Sequence, residues 1–198
     1  MHISPNRRIV VIQGHPDPAG NRFCHALAQA YAEGAREAGH AVRVVDVASL
    51  QFPILRTQAD YEKQGMPPAL AGAWDAIQWA NHVVIVFPLW LGTMPALLKA
   101  FMEQIARPGY AFAYTDHGLP IQLLGGRSAR LIVTMGMPSL FYRLWYFSHG
   151  LRSMERNVLK VVGIKPIGET LIGMVGAASA GKRDRWLEKM KAMGAKAA

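Results

Sequence analysis

Apolar positions along this chain form two kinds of pattern. Some are short and continuous, as in Val83–Phe87, which Pro88 ends. Such runs read as strands buried on both faces of a parallel sheet. Others recur at the three-and-four spacing of one helical face: Phe23, Leu27, Tyr31 and Ala35, then Met94, Leu97, Leu98, Phe101, Met102 and Ile105. The two kinds alternate. Strands are predicted at Arg8–Ile12, Ala41–Val45, His82–Phe87, Ala129–Met135 and Pro166–Ile172. Helices are predicted from Phe23, over Pro68–Ala80, from Met94 to Ala106 with Pro95 in the first turn, from about Tyr142 to Val162, and over Asp184–Met193. Alternating β and α units imply a parallel sheet with helices on both faces. Phe52–Pro67 is the least regular stretch and is expected to drape over the surface or reach a partner subunit. No repeat or second domain is evident, so residues 1–198 are expected to form one domain.

In an open sheet of this kind, ligands bind at the carboxyl ends of the strands. Two turns there are unusual. Pro88-Leu89-Trp90-Leu91-Gly92 is apolar where a turn is normally polar, which suits a flat apolar ring. Gly14–Arg22 is rich in Gly and Pro and leads into a helix, with Asn21 expected as its N-cap. His15, Asn21, Arg22, Phe23 and Cys24 surround that helix start, whose amides and dipole suit a phosphate. The loop matches neither the dinucleotide Gly-rich fingerprint nor a P-loop. One phosphate pocket beside one ring pocket describes a flavin mononucleotide.

Four stretches carry a family resemblance: GHPDPAGNRFCHAL (14–27), AGHAVRVVDV (38–47), FPLWLGTMPALLKAF with PGYAFAY (87–101 and 108–114), and GRSARLIVTMGMP with GIKPIGETLIG (126–138 and 163–173). Together they resemble the NAD(P)H:quinone oxidoreductases of the flavodoxin-like fold, which include the DT-diaphorase, modulator-of-drug-activity and potassium-efflux ancillary types. The resemblance implies a three-layer αβα sandwich with a five-stranded parallel sheet in the order 2-1-3-4-5. It implies FMN, with FAD as the alternative, and NADPH or NADH as hydride donor to a quinone or related aromatic acceptor in a ping-pong cycle. Pro88, Leu89, Trp90, Leu91 and Gly92 would support the ring and offer amides to its polar edge. Thr134, Met135 and Gly136 would complete the other side. Tyr142 and His149 would contact the flavin carbonyl and balance charge. Trp90, Phe141, Tyr142, Trp145, Tyr146 and Phe147 would line an acceptor slot, or pack in the core or a dimer. A regulatory subunit on a potassium efflux transporter and a flavodoxin-type electron carrier remain alternatives.

Composition adds limits. Half of the residues are hydrophobic (51%), which excludes disorder. No apolar run reaches the roughly 20 residues of a membrane span. A single cysteine, Cys24, rules out an internal disulfide and fits a cytoplasmic setting; it reads as a small packed residue. No Cys/His/Asp/Glu cluster has metal-ligand spacing. Net charge is +9, and all of the excess lies in residues 127–198, with thirteen Lys/Arg against four Asp/Glu. No nucleic-acid-binding motif accompanies it, so it reads as a solvated basic surface or an attractor of NAD(P)H phosphates. The Met94–Ile105 helix and the Phe141–Phe147 segment present more apolar surface than one sheet face needs, so a homodimer is expected. His25 and His40 are expected at the surface, His82 and His117 as structural.

Overall fold

The continuous apolar runs form the strands. In the computed structural model, which describes residues 6–62, 65–115, 117 and 120–198, the chain begins with β1 (Arg8–Gln13), α1 (Phe23–Glu37) and β2 (Ala41–Asp46). There follow α2 (Gln58–Glu62), α3 (Ala71–Trp79), β3 (His82–Pro88) and α4 (Ala96–Ile105). A short hairpin, β4 (Phe112–Tyr114) and β5 (Pro120–Gln122), precedes β6 (Ser128–Thr134), α5 (Ser139–Leu144), α6 (His149–Ser153), β7 (Ile167–Ile172) and α7 (Ala180–Ala195). The main sheet has the order β2-β1-β3-β6-β7, every pair parallel. Without the hairpin strands this is the expected 2-1-3-4-5.

Alternation along each strand sorts side chains to two cores. Val10, Ile12, Val83, Ile85 and Phe87 meet α3 and α4 on one face, with Leu70, Leu98 and Phe101. Ile9, Val11, Val84 and Val86 meet α1 and α7 on the other, with Leu27, Tyr31 and Met190. All seven residues of β3 are buried. Each large aliphatic side chain fully buried contributes about 1.5–3 kcal/mol, which places this central strand among the best-anchored elements.

Several boundaries depart from the pattern for physical reasons. Arg22, not Asn21, is the N-cap of α1, in extended conformation (φ −97°, ψ 154°). α4 opens one residue past Pro95, whose own backbone is extended. The stretch 52–67 contains α2 and lies against α4: the Gln104 amide donates to the Pro53 carbonyl (2.8 Å), and buried Arg107 donates to the carbonyls of Asp60 (2.8 Å) and Gly65 (3.1 Å). The single helix expected over 142–162 is broken. α5 stops at Leu144, Phe147 and Ser148 take left-handed backbone (φ 49° and 52°), and after α6 a wider π turn covers Met154–Leu159. The break lets Gly150 lie on the Gly92 carbonyl, where a Cβ would come within 2.2 Å of the oxygen.

Candidate functional site

Parallel register brings three strand ends to one edge: Gln13 lies opposite Val86, and Pro88 opposite Thr134. The first loop is locked by its own side chains. The Gln13 side-chain carbonyl accepts the His15 N–H (2.5 Å), and His15 Nδ1 accepts the Asp17 N–H (3.1 Å). A ring that accepts at Nδ1 carries its proton on Nε2 when neutral. Burial first, and His25 second, hold His15 below its ordinary pKa. The Asp17 carboxylate accepts from Ala19 N–H (2.9 Å) and from Arg22 Nε (2.6 Å). The Ala19 bond, then Arg22, lowers the pKa of Asp17. Arg22 is thus aimed along the loop while it stays exposed. The Arg22 side chain makes no capping hydrogen bond to α1, and no acidic residue stands in the first turn of the helix. The amides of that turn therefore keep their attraction for an anion.

Cys24 is buried with Sγ 3.1 Å from Thr134 Oγ1. Burial pushes its thiol up to about 11, so it is a packed residue and only its backbone can serve a ligand. Phe23 is half-buried and Asn21 exposed. His25, expected at the surface, instead has both ring nitrogens buried without a hydrogen-bond partner among the described residues, its ring 5.4 Å from that of His15. No local pattern marks this, because three other residues of the first helical turn look equally able to face the loop.

The second loop is a two-residue turn. Trp90 N–H donates to the Thr93 carbonyl (2.9 Å) and Thr93 N–H to the Trp90 carbonyl (3.0 Å). Leu91 (φ 48°) and Gly92 (φ 82°) between them are both left-handed, the geometry of a type I′ turn. Leu91 is fully exposed and Trp90 half exposed, with Trp90 edge-on to His15 at 6.0 Å. The amides expected to face a ring divide into two groups. Those of Leu89, Trp90 and Met135 are already bonded, to the carbonyls of Thr134 (2.7 Å), Thr93 and Ile172 (2.9 Å). Those of Leu91, Gly92 and Gly136 have no acceptor among the described residues. A Cβ at Gly92 or Gly136 would meet nothing within 4 Å, so open space lies over both. Thr134 and Met135 are buried, and Pro88 closes β3.

Tyr142 departs from its expected place. Its side chain is fully buried, and its hydroxyl donates to the Gly92 carbonyl (3.1 Å) and accepts from Leu151 N–H (3.3 Å). It braces the turn rather than reaching the open surface. His149 is exposed and stacked on Phe147 (5.7 Å, 23°). Trp90, Phe141, Trp145, Tyr146 and Phe147 are all substantially exposed, so of the aromatic cluster Tyr142 alone packs in the core. α4, by contrast, turns its apolar face inward, so it adds no free apolar surface. Among the described residues no three His, Cys, Asp or Glu side chains are placed to hold a metal ion, and no helix is long and apolar enough to cross a membrane.

A family model described as flavodoxin-like fold matches residues 7–193. The chain belongs to that family. This flavodoxin-like protein is 25% identical over 156 residues to ribosyldihydronicotinamide dehydrogenase-like protein traD of Penicillium crustosum, covering 65% of this chain and 57% of that one. It is 34% identical over 106 residues to an FMN-dependent NADH:quinone oxidoreductase of Nitratidesulfovibrio vulgaris, covering 47% and 50%. The chain spans about half the length of the curated relatives it matches. Among solved structures, an NAD(P)H:quinone oxidoreductase from Methanothermobacter marburgensis superimposes with TM-score 0.79 at 21% identity, over 96% of this chain and 98% of that one. An FMN-dependent NADH-azoreductase from Bacillus anthracis, in complex with FMN, gives TM-score 0.71 at 17% identity, over 96% and 98%. At such identities the structural likeness speaks for the fold.

Proposed function

We propose that this protein is a flavin-dependent NAD(P)H oxidoreductase that reduces quinones or related aromatic acceptors, with the whole chain acting as one flavin-binding domain in the cytoplasm. The observation that carries the reading is the meeting, at one sheet edge, of an uncapped helix start and an open apolar turn. The relatives named for FMN and NADH support FMN over FAD, and NADH as a donor. When bound, the flavin supplies the hydride chemistry itself. The chain supplies binding and charge placement. The first-turn amides of α1, with Asn21 and Arg22, hold the phosphate. His15 presents its Nε2 side to the ligand. Trp90 and Leu91 cover the ring, and the amides of Leu91, Gly92 and Gly136 donate to its polar edge, where they stabilise negative charge as an oxyanion hole does. Tyr142 fixes the turn that bears two of those amides. His149, exposed beside Phe147, lies at the rim, where a quinone oxygen needs a proton.

The homodimer is part of the same proposal, with the β4–β5 hairpin as its surface. Tyr114 and Ile121 in its strands, and Leu123 just past β5, are 59, 44 and 45% exposed. The test is direct. The purified protein should bind FMN and be bleached by NADH or NADPH without oxygen. Steady-state rates with a soluble quinone should give parallel double-reciprocal lines. A protein that takes up no flavin at micromolar concentration would end the proposal.

A further inference from the structure

One helix of this protein leaves most of its apolar side chains in solvent. In α5 the buried residue is Tyr142. Leu140 and Leu144 are 64 and 66% exposed, and Trp145, just past the helix end, 69%. Phe141, Tyr146 and Phe147 extend the strip. Left-handed backbone at Phe147 and at Leu91, a conformation that L-residues avoid, keeps apolar side chains exposed at both places. The Leu91 turn is joined to this region by the Tyr142 hydroxyl and by Gly150. The strip therefore adjoins the rim of the candidate site.

The chain then runs into α6 and the π turn, where Arg152, Arg156 and Lys160 recur every fourth residue and are all exposed. Residues 139–165 contain five Lys/Arg and one acidic residue, Glu155. Glu155 is paired with Lys160 at 2.8 Å. Arg143, within the strip, stands 3.9 Å from Glu169.

We propose that this strip and its basic flank are a docking surface for an anionic lipid bilayer. Leucine and phenylalanine side chains enter the acyl boundary, tryptophan and tyrosine suit the headgroup level, and arginines meet lipid phosphates. Each cation near an anionic leaflet adds attraction. A second copy fits the strip less well. Face to face, it would set five cations against five, in a chain whose net charge is +9. Docking brings the Trp90–Thr93 turn to the lipid–water interface, where a quinone with an apolar tail resides. That last consequence rests on the proposed quinone reduction; the docking itself does not.

The experiment is co-sedimentation of the purified protein with vesicles of phosphatidylcholine containing about one third phosphatidylglycerol, beside vesicles of phosphatidylcholine alone. Partitioning should be at least tenfold stronger on the anionic vesicles and should collapse at about 0.5 M salt, where screening is severe. The double variant Leu140→Ser/Leu144→Ser should lose at least tenfold in partitioning while its melting temperature and its reduction of a water-soluble quinone are unchanged. Arg152→Gln/Arg156→Gln should lose the preference for anionic vesicles, an independent check should the leucine variant fold poorly. No sedimentation of the wild type, or equal binding by the leucine variant, would overturn the proposal. So would conversion of a stable wild-type dimer to monomers by Leu140→Ser/Leu144→Ser, which would assign the strip to a second copy. A protein that binds these vesicles yet reduces no quinone keeps the docking surface and loses the proposed acceptor.

Discussion

Removing one oxygen atom at Tyr142 separates two accounts of this residue. The family resemblance places its hydroxyl against the flavin. The structure buries it between the Gly92 carbonyl (3.1 Å) and the Leu151 amide (3.3 Å). Tyr142→Phe keeps the ring in its pocket and deletes both bonds. Each buried partner left unsatisfied costs about 1–3 kcal/mol, so the pair should cost about 2–6 kcal/mol before relaxation. For a chain of this length each kcal/mol is about 2–4 °C in Tm, so a drop of at least about 4 °C is expected. The turn that carries the Leu91 and Gly92 amides loses its brace, and FMN affinity should fall several-fold. The hydride-transfer rate per bound flavin should stay within about threefold of wild type, because the hydroxyl faces the protein interior. The assay pairs a thermal melt of the flavin-free protein with stopped-flow reduction by NADH of the loaded one. An unchanged melting temperature together with a rate reduced about a hundredfold would refute the brace and restore a direct role in the reaction.

Other substitutions probe the remaining parts. Asn21→Ala/Arg22→Ala should weaken FMN binding more than tenfold, about 1.4 kcal/mol or more, because charge-assisted contacts to a phosphate are lost; wild-type affinity in a fluorescence titration would reject the loop as the phosphate site. Gly92→Ala should cost about 1 kcal/mol from left-handed backbone alone (φ 82°) and leave space over the turn open; an unperturbed denaturation midpoint would show that the turn is not held as described. Gly150→Ala should do more, since its Cβ would press on the Gly92 carbonyl at 2.2 Å, so both stability and FMN affinity should fall, and a loss of one without the other would uncouple the two turns. His82, buried between Ser128 Oγ (2.7 Å) and the Tyr31 hydroxyl (3.2 Å), has its pKa pushed down to about 4 by burial and then by Arg7 and Arg130. The unfolded chain, near 6.5, takes the proton first, so this group's stabilisation is complete above pH 6.5 and declines toward pH 4, by up to about 3 kcal/mol; a stability profile for His82→Gln with the same acid slope as wild type would remove His82 as its source.

What could be read along the chain and what could not differ in the range of the forces involved. Val83–Phe87 declares itself a central strand because every residue must be apolar when both faces are covered. Gly14–Arg22 and Pro88–Gly92 declare themselves loops of interest because Pro and Gly punctuate them beside unambiguous strands. Those are local signals. The direction of Tyr142 is not local. Leu140, Phe141, Tyr142 and Leu144 are all apolar or aromatic, so no periodicity says which one turns inward. The choice is made by a carbonyl fifty residues earlier, that of Gly92, which leaves Tyr142 inside and its neighbours in water. The break at Phe147–Ser148 has the same origin, since it delivers Gly150 to the same carbonyl. The three-residue strands of the hairpin are too short for a period of two to show. Arg107 counts toward the net charge like any surface cation, yet it is buried and holds two loop carbonyls. In each case but the hairpin a tertiary contact overrides a local tendency, and in two of them the contact is with Gly92. A turn held from two sides in left-handed backbone, with an exposed leucine at its tip, is costly to keep. That cost is intelligible where the turn must present amides and apolar surface to a ligand.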